Sequence, residues 1–131
     1  MNMTQVEKDI IEDLKELQDE ISQYTFILSC AQECMPYPEK YRTEKYLVKD
    51  CQVNTWLYSE LKDGNMVFLA DSESLIVKGA LALLQEIFRG RTKEEIEEYE
   101  CRLLNTKAFT KHLSKTQLQG LRSIIQKAKR N

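Results

Sequence analysis

The stretch "VNTWLYSELKDGNMVFLADSESLIVKGALALLQEIF", residues 53–88, contains two strand patterns, a turn and a helix pattern in direct succession. Polar and apolar side chains alternate over residues 53–61, as expected for a strand with one buried face. Asp63 and Gly64 are residue types that accept the positive φ angles of a tight hairpin turn, and residues 66–70 then return as a second strand. The stretch therefore predicts an antiparallel hairpin that leads into a helix.

The helix pattern at the end of this stretch is almost continuously apolar over residues 75–88. A helix that is apolar on nearly every side is typical of the centre of a fold. Asp71 or Ser72 is the predicted N-cap, because either side chain can accept hydrogen bonds from free backbone N–H groups. Gly90 is the predicted residue that ends the helix.

Two helices are predicted before the hairpin. Thr4 and Glu7 have the spacing of a capping box for the first. The second is expected over residues 20–35, where Pro36 and Pro38 stop it because proline lacks the backbone donor that a helix interior requires. Five of its side chains are expected to face inward: Ile21, Tyr24, Ile27, Leu28 and Ala31.

After the central helix, Thr92 with Glu95 predicts a capping box for a short charged helix, and residues 101–113 are interpreted as a helical turn plus a loop. Ser114 with Gln117 predicts the cap of the last helix. Its apolar side chains are expected inward: Leu118, Leu121, Ile124 and Ile125. This order of elements predicts an α+β fold, a small antiparallel sheet of about three strands packed against several helices.

A length of 131 residues fits one domain over residues 1–131. The net charge of −2 gives no indication of nucleic-acid binding. The acidic N-terminus lacks the apolar segment of a secretory leader, and no apolar stretch approaches the length needed to span a bilayer. We therefore expect a cytoplasmic protein that binds neither membrane nor nucleic acid.

Four cysteines, Cys30, Cys34, Cys51 and Cys101, are then expected to be reduced thiols. There is no CxxC pair and only one histidine, so the spacing does not predict a zinc site. Cys30 and Cys34 lie one helical turn apart. They are interpreted as a helix flank that touches the core, with half a metal site or a redox pair as the alternatives.

Cys51 is the candidate functional residue because it stands where a strand begins, between an extended segment at residues 46–49 and the first strand. A working thiol belongs on a turn that is held by a rigid element. Lys49 favours its thiolate and Asp50 disfavours it, which fits a thiol whose reaction partner arrives on another protein. The single imidazole, His112, is interpreted as a capping or packing residue, with a role as base left open.

Three stretches resemble the signature sequences of the SufE family of sulfur-acceptor proteins. They are "DCQVNTWL" (residues 50–57), "DSESLIVKGALAL" (residues 71–83) and "HLSKTQLQGL" (residues 112–121), in the family's order and spacing. Each of the outer two stretches departs from the family pattern. Asp50 stands in place of a glycine, with Val53 and Asn54 replacing serine and glutamine, and Lys115 and Gln117 stand in place of a proline and an arginine.

The resemblance implies a SufE/NifU-like fold in which Cys51 takes sulfur from the persulfide of a cysteine desulfurase of the SufS or CsdA type. The sulfur then passes to an iron–sulfur scaffold, and its removal stimulates the desulfurase. No cofactor is implied for this chain, since pyridoxal phosphate stays on the desulfurase. The alternatives are an iron–sulfur scaffold of the NifU kind and a desulfurase-binding module without transfer chemistry, which Asp50 and Gln117 keep open.

Overall fold

The computed structural model describes residues 1–130 of the chain, which contain six helices and one antiparallel hairpin. In chain order they are α1 (Met3–Glu16), α2 (Glu20–Cys30), β1 (Thr55–Lys62), β2 (Asn65–Ser72), α3 (Leu75–Phe88), α4 (Lys93–Glu98), α5 (Lys107–His112) and α6 (Lys115–Lys129). Single 3-10 turns lie at Ala31–Glu33, Glu39–Tyr41, Glu44–Tyr46 and Leu103–Asn105. No helix among these residues has both the length and the apolar character needed to cross a membrane.

The hairpin confirms the predicted turn. Its register runs from Thr55 opposite Ser72 to Lys62 opposite Asn65, without a bulge. Asp63 has a φ of 54° and Gly64 a φ of 84°, the two positive angles that a two-residue hairpin turn requires. The first strand begins two residues later than predicted, because the residues before it belong to the turn that carries Cys51.

The predicted count of about three strands is wrong, since the sheet has two. The segment at residues 46–49 forms only an isolated bridge, between Leu47 and Trp56, beside a hydrogen bond from the Val48 N–H to the Thr55 carbonyl (2.7 Å). A 3-10 turn ends immediately before this bridge and another turn follows it, so the pairing cannot extend into a strand.

The central position of α3 is confirmed. Eleven of its fourteen residues are buried, and it packs against β2 on one side and α2 on the other. Gly79 makes the crossing with α2 possible, because a Cβ at this position would lie 1.8 Å from the carbonyl oxygen of Ile27. The glycine in the middle of this helix is therefore explained by a direct approach of two backbones.

The predicted N-cap of α3 is wrong, whereas its predicted end is confirmed. Asp71 and Ser72 are the last residues of β2, and the cap is Ser74, whose hydroxyl accepts from the Val77 N–H at 3.4 Å. The strand extends beyond the apolar residues that predicted it, and this extension moves the start of the helix. Gly90 follows the helix with a φ of 77°.

The first two helices differ from their predictions at their ends. Asn2 and Gln5 form the capping box of α1 in place of Thr4 and Glu7. The second helix ends at Cys30, and its Ile21 side chain is 80% exposed, since the buried residues of this helix lie in its second half. Tyr24 is likewise exposed, whereas Ile27 is fully buried.

In the last third of the chain, both predicted capping boxes are confirmed. Thr92 with Glu95 and Ser114 with Gln117 both form complete capping boxes. The stretch at residues 101–113 holds more helix than predicted, since α5 follows its 3-10 turn. The four predicted inward side chains of α6 are all buried, so this helix covers the core with a well-defined apolar face: Leu118, Leu121, Ile124 and Ile125.

Candidate functional site

Cys51 lies on the turn between the Leu47–Trp56 bridge and the start of β1. Its backbone N–H donates to the Val48 carbonyl at 3.4 Å, which closes the turn. The residue is half-buried and packs against the edge of the hydrophobic core. The turn is thus held at both ends by hydrogen bonds of the sheet, as predicted for a thiol placed where a strand begins.

The Cys51 thiol packs against Gly120, in the second turn of α6. A Cβ on this glycine would lie 2.5 Å from the Cys51 Sγ, closer than a real Cβ contact allows. The sulfur therefore rests directly on the helix backbone, at a position where any other residue would displace it. A glycine inside a helix costs up to about 1 kcal/mol relative to alanine, and the close approach of the sulfur accounts for its presence here.

The hydroxyl of Thr55 lies beside the Cys51 thiol and lowers its pKa. Thr55 is fully buried, and its Oγ1 lies 2.8 Å from the Oγ of Ser72 on the opposite strand. Ser72 Oγ also accepts from the Ser74 N–H at 3.1 Å, which links the group to the cap of α3. The hydroxyl group beside the thiol is therefore linked across both strands to the cap of α3.

The environment of Cys51 favours the neutral thiol. Burial raises the pKa of the thiol above its ordinary value, and the neighbouring Asp50 carboxylate raises it further. The Thr55 hydroxyl acts in the opposite direction, but it does not offset burial. At rest and near neutral pH the sulfur is protonated, and it is a poor nucleophile until its surroundings change.

A second connection joins the cysteine turn to α6. The Ser123 hydroxyl donates to the Asp50 carboxylate at 2.6 Å. Asp50 is exposed and Ser123 is half-buried. Asp50 stands where the family pattern has glycine, so this hydrogen bond uses a side chain that the pattern lacks. Sequence reasoning missed Ser123, because only the fold brings it close to residue 50.

The other departure from the family pattern has a local explanation. Gln117 is the third residue of α6, and its side-chain oxygen accepts from the Ser114 N–H at 2.8 Å in the capping box. Lys115 is the first residue of the same helix. Gln117 thus caps the N-terminus of α6. The arginine of the family pattern, which could reach the cysteine turn, is absent at this position.

The remaining cysteines lie elsewhere. Cys30 is buried in the core, as the helix-flank interpretation predicts, and burial raises the pKa of its thiol to about 11. Cys34 follows the end of α2, and its thiol donates to the Ala70 carbonyl at 3.5 Å, so the two do not share one helix face. Among residues 1–130 no three histidine, cysteine, aspartate or glutamate side chains converge in a way that could hold a metal ion.

The single histidine packs against an aromatic ring. The His112 imidazole makes an edge contact with Tyr24, with ring centroids 5.6 Å apart, and its Nε2 is buried without a hydrogen-bond partner in the described chain. The packing interpretation is confirmed.

Asp71 has a role that its predicted capping function does not include. Its carboxylate pairs with Arg42 at 2.8 Å and with Lys78 at 3.3 Å, so it joins a loop and α3 through the end of β2. The Arg42 guanidinium also lies over the Trp56 ring, 4.7 Å from its centroid. Trp56 is buried beneath this group and packs in the sheet.

An open groove of about 550 Å³ borders the cysteine turn. Asp50 and Ser123 are among the residues that line it. The groove is rich in basic side chains, with Lys45, Lys49, Lys127 and Arg130 set against two carboxylates. The side of the turn that faces solvent is therefore more positive than the chain as a whole, whose net charge is −2.

Comparisons with known proteins test the family and the fold of the chain. Residues 8–131 match the family described as "SufE: Fe-S metabolism associated domain". The "Cysteine desulfuration protein SufE" of Wigglesworthia glossinidia brevipalpis is 31% identical over 103 residues, which cover 77% of this chain and 72% of that protein. The fold is similar to the solution structure of a hypothetical protein from Thermus thermophilus, with a TM-score of 0.77 and 20% identity over 95% of this chain and 91% of that one. The α+β architecture is thereby confirmed, and the chain belongs to the SufE family.

Proposed function

We propose that this protein is a sulfur carrier whose Cys51 thiol accepts sulfur from the persulfide of a cysteine desulfurase of the SufS or CsdA type. Membership of the SufE family supports a sulfur-acceptor role in iron–sulfur metabolism. The observation that carries the proposal is the position of the Cys51 sulfur on a half-buried surface turn, seated on the backbone of Gly120. An inert core cysteine would need neither the turn nor the glycine.

The proposed transfer is a thiol–persulfide exchange. The Cys51 thiol first loses its proton to water or to a group on the partner. Its thiolate then attacks the outer sulfur of the partner's persulfide, a new S–S bond forms at Cys51, and the S–S bond of the donor breaks. The donor cysteine leaves as a thiolate, so one sulfur atom changes carrier without an external oxidant or reductant.

The residues around Cys51 suit a carrier that is inactive when it is alone. Burial keeps its thiol protonated, so small oxidants in solution meet a weak nucleophile. Docking of the desulfurase would move the turn from α6 and expose the sulfur to the persulfide. Removal of that sulfur frees the desulfurase for another turnover, and an iron–sulfur scaffold receives it afterwards. On this proposal the carrier needs no cofactor, and pyridoxal phosphate belongs to the partner.

The alternative of an iron–sulfur scaffold receives no support from the described residues. A cluster needs several thiolates or imidazoles that converge on the metal. Such a group is absent from residues 1–130. The other alternative, a binding module without transfer chemistry, differs from the carrier in whether sulfur is found on Cys51.

Labelled sulfur tests the proposal. Cysteine that carries radioactive sulfur is supplied to a desulfurase in the presence of the wild type, Cys51→Ser, Cys34→Ser or Cys101→Ser. We expect label on the wild type and on the Cys34 and Cys101 variants, and none on Cys51→Ser. Mass spectrometry of the Cys51 peptide should show the added sulfur atom. Equal label on Cys51→Ser would move the site to another cysteine, and no label despite binding to the desulfurase would favour the binding module.

A further inference from the structure

We propose that the hydrogen bond between Ser123 and Asp50 is a releasable latch that holds the Cys51 turn against α6 and limits how often the thiol is exposed. The inference rests on the proposed function of Cys51 and adds two positioning residues to it. Neither residue touches the sulfur that is transferred. Their effect is on the position of the turn.

The latch is the only hydrogen bond, in the described part of the chain, that joins residues 49–54 to α6. The other link between the two is the contact of the Cys51 sulfur with Gly120. This contact is apolar and contributes little by itself. Ser123 lies one turn of helix after Gly120 on the same side of α6, so the two links hold the same turn and are expected to break together.

The strength of the latch suits a bond that must open. At 2.6 Å it is a short hydrogen bond to a charged acceptor, which favours the closed turn. Asp50 is exposed, however, so water can replace the serine hydroxyl when the turn moves away. A hydrogen bond of this kind shifts an open–closed equilibrium by about three- to tenfold.

The latch also lies where a partner would meet it. Both of its side chains line the basic groove defined above. Carboxylates of a docked protein would be attracted to Lys49, Lys127 and Arg130, which line this groove. Their approach would place negative charge close to Asp50, which weakens the closed turn. Binding and release of the thiol are thereby coupled without a conformational change in the core.

Alkylation of Cys51 measures the exposure of the thiol. The full-length protein is treated with iodoacetamide at fixed pH, and modification is followed by mass spectrometry of the Cys51 peptide. We expect Ser123→Ala to react about three- to tenfold faster than the wild type, because the hydrogen bond is lost. Ser123→Thr keeps the hydroxyl and should react at nearly the wild-type rate. Ser29→Ala, a serine on distant α2, is the matched control and should leave the rate unchanged.

The rate at Cys30 in the same sample serves as an internal control, because this buried thiol reacts only when the core opens. A latch predicts faster reaction of Cys51 with no change at Cys30. Asp50→Gly should react at least as fast as Ser123→Ala, because it also removes the charge that raises the pKa of the thiol, and the double variant should be no faster than Asp50→Gly alone. Equal rates for the wild type and Ser123→Ala, or faster reaction of both cysteines, would overturn the proposal.

Sulfur transfer provides the functional readout. Ser123→Ala should reach its maximal transfer rate at a lower desulfurase concentration than the wild type, with the maximal rate itself unchanged. A lower maximal rate in this variant would contradict a positioning role. If the wild type accepts no sulfur, the proposed function fails, whereas the alkylation rates still report on the latch.

Discussion

Two loops in this protein carry a cysteine and are held to a helix through a carboxylate, but in very different ways. The loop that carries Cys101 is fixed by Glu7 of α1, whose side chain accepts from the Tyr99 hydroxyl (2.5 Å), the Arg102 N–H (2.7 Å) and the Leu103 N–H (3.0 Å). Glu7 is only 2% exposed. The turn that carries Cys51 has a single hydrogen bond to its helix, through an exposed carboxylate.

The difference lies in what happens when each contact opens. If the Glu7 loop leaves, three donors and a buried carboxylate lose their partners at once, and each such loss costs about 1–3 kcal/mol. If the Cys51 turn leaves, water hydrates both Asp50 and Ser123. The same type of contact is therefore part of the permanent structure at Cys101 and releasable at Cys51.

The largest effect is expected from Glu7→Ala. This substitution leaves the Tyr99 hydroxyl and two backbone N–H groups unpaired in the interior, so we expect the free energy of unfolding to fall by about 3–5 kcal/mol. Urea denaturation followed by circular dichroism measures it. Glu12→Ala, an exposed carboxylate of the same helix, should change stability by less than about 0.5 kcal/mol. A small loss for Glu7→Ala would show that the two loops are held alike.

Gly120→Ala tests the contact between the Cys51 sulfur and the backbone of α6, which holds the releasable turn. The added methyl group would lie 2.5 Å from the Cys51 sulfur, so the turn must move outward. We expect alkylation of Cys51 to accelerate by about tenfold, an overpacking effect of roughly 1–2 kcal/mol that acts on the turn and not on the core. The gain in helix propensity offsets part of any loss in overall stability.

Iodoacetamide kinetics of the Gly120→Ala variant, with Gln119→Ala on the exposed side of α6 as control, provide the measurement. Slower alkylation than in the wild type would mean that the methyl group has locked the turn closed. In that case, the sulfur does not rest on the helix backbone in solution.

The smallest expected effect is on the pH dependence of the alkylation of Cys51. Burial raises the pKa of both the Cys51 and the Cys101 thiols, so both are protonated near neutral pH. We expect the alkylation rate of Cys51 to rise with pH and to level off above the ordinary thiol pKa, since only the thiolate reacts. Asp50→Asn should lower the midpoint of this rise, because a neighbouring negative charge is removed. Cys101 should remain slow throughout, since its loop seldom opens.

A midpoint for Cys51 at or below the ordinary value would mean that the turn is open in solution for much of the time. A midpoint unchanged by Asp50→Asn would mean that residue 50 is too far from the sulfur to influence it. Peptide-level mass spectrometry of samples quenched across the pH series distinguishes these outcomes.

Much of the fold was predictable because its signals are local. The hairpin turn requires residues that accept positive φ, and Asp63-Gly64 meets this requirement in any context. The capping boxes at Thr92 and Ser114 depend on residues three positions apart. The predicted capping box at Thr4 and Glu7 was wrong because Asn2 and Gln5 satisfy the same pattern two residues earlier. The Glu7 side chain instead accepts hydrogen bonds in the core from residues near the other end of the chain.

The prediction of a third strand was wrong for a related reason. An extended segment becomes a strand only if a neighbour pairs along its length, and the turns on either side of Leu47 limit this pairing to a single bridge. Likewise, Asp71 was a reasonable cap by residue type. The register of β2, together with the cations of Arg42 and Lys78, places it in an ion-pair group instead.

The sequence by itself determined the hairpin, the central helix and the family, and it made Cys51 the candidate residue, since each depends on residue types at short, fixed spacings. Only the tertiary structure decided what surrounds that cysteine. Gly120 and Ser123 lie some seventy positions further along the chain, and nothing near residue 51 indicates that they will meet it. The packing of α6 against the start of β1 brings them together, and this contact determines whether the sulfur is buried or exposed.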